Sequence, residues 1–205
     1  MDSSIKVSEE NRIEYAVKVL SRDGLVVYPT ETVYGLGADA LSENAVYKVY
    51  EAKRRLMGKP ISIAVSDIEM IYGVAHIDDF AERFINKFLP GPVTVVLPSK
   101  NILPEDLTGG TKTIGIRYPD NAIALELISK FDSPITSTSA NISGEVSPIT
   151  AEMVNVVHDY LIDGGKTAGI PSTVVDLENK NIIRAGAMVD EVASFIRKEI
   201  QESRE

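Results

Sequence analysis

The chain has 205 residues, 44 % hydrophobic and 25 % charged, with a formal net charge of −9. That length supports one sizeable core or at most two small ones, and the composition is ordinary for a globular fold. The absence of cysteine excludes disulfides, thiolate metal sites and a cysteine nucleophile, and the acidic balance argues against a broad surface that tracks nucleic-acid phosphates.

The opening stretch MDSSIKVSEENR is polar and acidic-leaning, with no visible secretory or transit signal. No apolar run approaches the roughly 20 residues a membrane helix needs, so a cytoplasmic protein without membrane contact is expected. Ile13, Ala16, Val17 and Leu20 form a helical stripe that Gly24 is placed to terminate. LVVYPT (25–30) reads as a buried strand. Ser42 can cap a helix carrying Val46, Val49 and Tyr50 on one face. ISIAVS (61–66) is the next strand, and Phe80, Phe84, Ile85 and Phe88 stripe a further helix. VTVVLP (93–98) and TIGIRYP (113–119) follow as strands, then a helix over NAIALELISKF (121–131) and a strand at PITSTS (134–139). A helix over TAEMVNVVHDYL (150–161), strands STVVDL (172–177) and NIIRA (181–185), and a last helix from about Val189 complete the chain before the polar tail QESRE. Helices and strands interleave, while strands crowd together near 93–118 and 172–185, which implies antiparallel pairs. The expected fold is α/β with α+β character: a twisted, open, mixed sheet with flanking helices and a basic ligand cleft. With no repeat or linker, one domain over 1–205 is expected.

Polar residues interrupt the apolar pattern at a few places. EAKRRLMGKP (51–60) gathers Lys53, Arg54, Arg55 and Lys59 in an otherwise acidic chain. Such a cluster is either a solvated helix C-terminus or an anion site. In VVYPTETVYGLGADA, Thr30 and Thr32 follow a strand at period two, so an extended chain points both hydroxyls to one side. Gly35 and Gly37 permit a close approach of the backbone or a tight turn. PITSTSANISG sets consecutive hydroxyls from Thr136 to Ser139 ahead of Asn141; these can serve turns and caps, or donate to phosphate and carbonyl oxygens. Arg117 interrupts the apolar strand TIGIRYP and either faces solvent or requires an anionic partner. Ser172, Thr173 and Arg184 likewise stand at strand ends, where open α/β sheets collect ligands. His76 and His158 are far apart and read as surface or satisfied histidines. YLIDGGKTAG ends like a phosphate-binding loop, but Tyr160 replaces the leading glycine, and Ala-Gly-Ile-Pro follows where a helix should begin.

Taken in order, YPTETVYGLGA, Lys53-Arg54-Arg55 as Lys-x-Arg, PGPVTVVLP, TIGIRYP, Ser139-Ala140-Asn141 as Ser-x-Asn, and STVVD resemble the YrdC-type threonylcarbamoyl-AMP synthases over nearly the whole chain. The chain departs from that pattern at Leu56, Ala64, Pro171 and Ala185, and it looks like the short form that has no second domain. The resemblance implies a nucleotidyltransferase that condenses L-threonine, bicarbonate or CO2, and ATP to threonylcarbamoyl-AMP and pyrophosphate, for the threonylcarbamoyl modification of tRNA adenosine 37. It assigns Lys53 and Arg55 to the departing phosphates as catalytic cations. ATP would be bound by those two with Lys59, Thr113, Ser139, Asn141, Ser147 and Arg184, and threonine by Thr32, Arg117, Ser137 and Ser172. ATP is implied as a substrate, with Mg2+ carried by the nucleotide and no protein metal ligand. A downstream tRNA-modifying machinery would receive the product, and no strong direct nucleic-acid binding is expected. Two other readings use the same cleft: a paralogue acting on another acid or without synthase activity, and an RNA-binding module, against which the acidic charge speaks.

Overall fold

A computed structural model describes residues 9–202; the opening stretch to residue 8 and residues 203–205 of the tail lie outside the described residues. In chain order the elements are α1 (Glu9–Leu20), β1 (Val26–Tyr28), β2 (Gly35–Gly37), α2 (Glu43–Ala52), β3 (Ser62–Ala64), α3 (Ile68–Val74), α4 (Asp79–Phe88), β4 (Val93–Pro98), α5 (Glu105–Thr108), β5 (Thr113–Arg117), α6 (Ala122–Phe131), β6 (Ile135–Ser139), a 3-10 turn (Ala151–Met153), β7 (Tyr160–Leu161), β8 (Thr173–Asp176), β9 (Asn181–Arg184) and α7 (Val189–Glu202). The strands make a nine-stranded sheet in the order β7-β1-β2-β6-β3-β5-β4-β8-β9. β1 runs parallel to β7, β3 to β5 and β4 to β8, and the other neighbours are antiparallel. The strands that crowd in sequence, β4 with β5 and β8 with β9, are antiparallel pairs, so the sheet is mixed as expected.

Period-two alternation gives the sheet two different faces. Val27, Leu36, Ile63, Ile116, Val93, Val95, Leu97 and Val175 point into the larger core, which α2, α3, α4 and α7 cover with residues such as Val49, Ile71, Phe84 and Ile196. Val26, Tyr28, Ala64 and Ile135 point the other way and are covered by Ala16 and Leu20 of α1 with Ala124, Leu127 and Ile128 of α6. The second helical layer shields only one side of its face. Across β6, β3, β5, β4 and β8, the positions in phase with Ala64 and Ile135 include Ser137, Ser62, Arg117 and Thr94, which line an open cavity.

Two sequence expectations fail. TAEMVNVVHDYL is no helix: after the 3-10 turn the chain extends into β7, which pairs in parallel with β1 at Val26↔Tyr160. Its Met153, Val154 and Val157 imitate a helical stripe, yet Val157 is 78 % exposed, and β-branched valines favour extended backbone. The segment is fixed from outside, by Leu25 N donating to Asp159 Oδ2 at 2.7 Å and Asp159 N donating to the Leu25 carbonyl at 2.9 Å. Nor does Gly24 supply the left-handed residue after α1; Asp23 does, at φ 57°. Gly24 is needed for space instead, since a Cβ there would lie 2.8 Å from the Val19 carbonyl oxygen.

The helix ends place the basic cluster. Ser42 caps α2, its Oγ accepting from Ala45 N at 3.2 Å. At the other end Lys53 is the C-cap and Arg54 adopts φ 48°. Arg54 N donates to the Glu51 carbonyl at 3.0 Å and Arg55 N to that of Tyr50 at 2.9 Å, the paired bonds of a Schellman motif. This reversal sends Lys53 inward, leaves Arg54 exposed and returns Arg55 toward the sheet.

Candidate active site

The cavity over the uncovered part of the sheet encloses about 380 Å3, within the usual range of ligand pockets. Its floor follows the strand register: Ser62 opposite Ser137, and Arg117 between Ala64 and Thr94. Gly115 keeps that floor open, because an added Cβ would collide with Ser62 Oγ. Its cations are Lys53, Arg55, Arg117 and Arg184, and the remaining wall is mostly hydroxyls, an amide and small apolar residues, with no carboxylate among the described residues.

Lys53 is only 2 % exposed. Its Nζ donates to the Ser139 carbonyl and to the Asn141 carbonyl at 2.7 Å, so two of three ammonium hydrogens are fixed and one is left for a ligand. Burial, reinforced by the nearby Arg55 charge, pulls its pKa down to about 8. Asn141 donates its amide to the carbonyls of Ile142 at 3.0 Å and Glu145 at 2.8 Å, while its Oδ1 is buried without a partner. Arg55 donates from Nε to the Lys59 carbonyl at 3.2 Å and from Nη2 to the Pro60 carbonyl at 2.9 Å. These contacts fix the guanidinium on the cavity wall. Ser139 and Ser147 also line it.

Arg117 stands two strands across from β6 and level with Ile135, four residues before the Ser139 anchor of Lys53, so strand spacing and rise put the two roughly 16 Å apart. It is buried, and its Nη2 donates to Glu31 Oε1 at 2.5 Å. Burial draws the guanidinium below the ordinary arginine pKa, and the Glu31 charge opposes that shift. Around it, Thr32 Oγ1 lies 2.8 Å from Thr30 Oγ1. Thr30 is committed to the local turn, accepting from Thr32 N and Val33 N and donating to the Val33 carbonyl. Ser172 Oγ pairs with Thr94 Oγ1 at 2.8 Å and accepts from Arg184 Nη2 at 3.1 Å.

Of the residues expected from the sequence, Lys53, Arg55, Ser139, Asn141, Ser147, Arg184, Thr32, Arg117, Ser137 and Ser172 all line this cavity. Lys59 and Thr113 do not. Lys59 is exposed and contributes its carbonyl, which accepts from Arg55 Nε and from the Tyr50 hydroxyl. Thr113 begins β5 in phase with Gly115 and Arg117, but its hydroxyl lies beyond the rim, 3.4 Å from Thr111 Oγ1. Unforeseen were Glu31, Thr94 and Ser62. Thr94 carries the signal that singled out Arg117, a polar residue inside an apolar strand. Gly35 approaches the Tyr28 ring, where a Cβ would lie 2.9 Å from the phenol carbon. The GGKT segment holds no phosphate loop: Gly164 N donates to the Tyr34 hydroxyl at 3.1 Å, that hydroxyl donates to the Gly165 carbonyl at 2.7 Å, and no helix follows.

One cavity thus offers a lysine–arginine pair suited to phosphate oxygens and, two strands across and four residues along the sheet, a buried arginine among hydroxyls suited to a carboxylate. The family profile Sua5/YciO/YrdC, described as Telomere recombination, matches residues 18–186. The threonylcarbamoyl-AMP synthase of Pyrococcus abyssi is 44 % identical over 177 residues, covering 82 % of this chain and 52 % of that protein. A putative threonylcarbamoyl-AMP synthase of Methanocaldococcus jannaschii is 41 % identical over 186 residues and 87 % of both chains. The crystal structure of P. abyssi Sua5 complexed with L-threonine superposes with a TM-score of 0.88 at 41 % identity, covering 92 % of this chain and 58 % of that one. This chain therefore spans about half the length of the P. abyssi protein. Sequence profile, relatives of similar length and the threonine-bound neighbour agree: the chain belongs to the Sua5/YciO/YrdC family.

Proposed function

We propose that this chain is a threonylcarbamoyl-AMP synthase, a nucleotidyltransferase that joins L-threonine, bicarbonate or CO2, and ATP and releases pyrophosphate. The observation that carries the reading is the spacing of two unlike anion sites in one cavity, supported by the names of its relatives and by the threonine bound to Sua5. Lys53 and Arg55, with Ser139, Asn141 and Ser147, take the triphosphate. Arg117, Thr32, Ser137 and Ser172 take the amino acid, and Arg184 reaches the nucleotide from the wall it shares with Ser172. Lys59 and Thr113 stay at the periphery.

The chemistry needs no covalent nucleophile from the protein. Threonine carbamate attacks the α-phosphorus through its own oxygen, and the bond to pyrophosphate breaks. The chain contributes orientation and fixed positive charge at the departing phosphates. With no carboxylate on the cavity wall among the described residues, Mg2+ would be held by phosphate oxygens and arrive with the nucleotide. The product is an activated adenylate, to be passed to a threonylcarbamoyl-transferring partner that acts on tRNA. Pyrophosphate release tests the reading: it should require threonine and bicarbonate together with ATP. Release that ignores threonine would mark the chain as a hydrolase or as a paralogue for another acid.

A further inference from the structure

Arg117 and Arg184 line the same cavity, joined through Thr94, the cross-strand partner of Arg117, whose hydroxyl pairs with Ser172 Oγ, the acceptor for Arg184 Nη2. Two guanidinium groups with neighbouring hydroxyls make a good diphosphate clamp. A second polyanion site inside the cavity would compete with a small monocarboxylate. Among the described residues, Glu31 supplies the carboxylate that forms an ion pair with a cavity cation. It lies between Thr30 and Thr32, which line the wall, but is not itself part of that wall. Its Oε1 holds Arg117 Nη2, while its Oε2 and Arg117 Nε are both buried without hydrogen-bond partners among the described residues. The pair is a one-point contact, and it leaves Arg117 on the cavity wall with a single carboxylate beside it.

We propose that Glu31 is a specificity-determining residue: its charge tunes Arg117 to accept a single carboxylate and to refuse phosphate chains, dividing one basic cavity into a polyanion end at Lys53–Arg55 and a monoanion end at Arg117. The inference rests on the assignment of Arg117 to the amino-acid carboxylate. Glu31 touches no substrate and acts through Arg117.

The test uses inorganic pyrophosphate and L-threonine in calorimetric titrations of the wild type, Glu31→Gln and Glu31→Ala. In the wild type, saturating pyrophosphate should change threonine affinity by less than about twofold, because like anions are kept at separate ends. In both variants threonine affinity should fall by about tenfold when pyrophosphate is present, as expected on removing a countercharge within contact distance. A second equivalent of pyrophosphate should bind, and adding Arg117→Met to Glu31→Gln should abolish it. Gln keeps an acceptor for Nη2, so a change confined to Glu31→Ala would assign the effect to geometry rather than charge and overturn the proposal. A folded Glu31→Gln protein that takes no additional pyrophosphate would overturn it as well. Should neither variant fold, competition in the wild type decides alone: pyrophosphate that displaces threonine there contradicts the proposal, and independence supports it. Failure of the wild type to bind threonine at all would reject the synthase reading instead, and the pyrophosphate count on the variants would still decide the selectivity.

Discussion

Replacing Arg55 by Ala separates an anion site from a solvated helix end. The Arg55 side chain lines the cavity and is held by the carbonyls of Lys59 and Pro60 at 3.2 and 2.9 Å. Its neighbour Arg54 is exposed, points away and occupies a left-handed turn at φ 48°. One charge-assisted bond to phosphate is worth about 1.5–3 kcal/mol, so Arg55→Ala should weaken ATP binding roughly 10- to 150-fold. The two lost carbonyl contacts are partly solvated and should cost about 1 kcal/mol together, a fall of roughly 2–4 °C in Tm for a chain of this size. Arg54→Ala should leave ATP affinity within about twofold, since surface changes away from a site are usually near neutral. Arg54→Gly should raise Tm slightly, because glycine relieves a left-handed conformation that costs other residues about 1 kcal/mol. Calorimetry with ATP and thermal unfolding on the same preparations give both quantities. Equal and small losses of ATP affinity from Arg54→Ala and Arg55→Ala would return the cluster to an ordinary helix terminus.

Lys53 makes nucleotide binding depend on pH. Its folded pKa of about 8 lies below the unfolded 10.5, so the folded protein holds fewer protons between those values and gains stability as pH rises through that window. A bound triphosphate favours the ammonium, so binding takes up a proton above about pH 8 and ATP affinity should fall by up to about tenfold per pH unit there; titrations in buffers of different ionisation enthalpy read this directly, and a flat profile to pH 9.5 would exclude Lys53 from the phosphates. Arg117→Lys should raise the threonine KM much more than that for ATP, because lysine lacks the planar fork, and should also lower Tm because the buried pair with Glu31 is disturbed. Unchanged threonine affinity in a folded Arg117→Lys protein would remove Arg117 from the site. Gly115→Ala should push Ser62 off the cavity floor and lower both Tm and ligand affinity, and Ser62→Ala in the same chain should restore part of the loss; no restoration would place the damage elsewhere.

The sequence exposed the sheet wherever a strand carried its own apolar run, as at VTVVLP and TIGIRYP. It hid the elements whose stability comes from neighbours. β2 is Gly-Leu-Gly, a poor strand by propensity, and exists because β1 and β6 flank it and its glycines admit the Tyr28 ring. β7 is two residues long and is anchored through Asp159 and Leu25. α3 escaped notice although Asp67 caps it, with Oδ1 accepting from Met70 N at 2.8 Å. Site residues were legible where polar groups broke an apolar pattern, hence Arg117, Ser137 and Ser172. Glu31 gave no such signal, because a glutamate between two threonines looks like turn chemistry until β5 brings Arg117 beside it. The resemblance puts Lys59 with Arg55 on the phosphates, whereas the turn after α2 uses its carbonyl and exposes its side chain, an arrangement that only the fold displays.

Incubation of the protein with ATP, Mg2+, L-threonine and isotopically labelled bicarbonate, with the products read by mass spectrometry, tests the synthase activity itself. The account predicts threonylcarbamoyl-AMP carrying the bicarbonate label, together with pyrophosphate, and loss of both when threonine is omitted. ATP turnover without a labelled adenylate, or no turnover from a folded protein that binds both ligands, would contradict it.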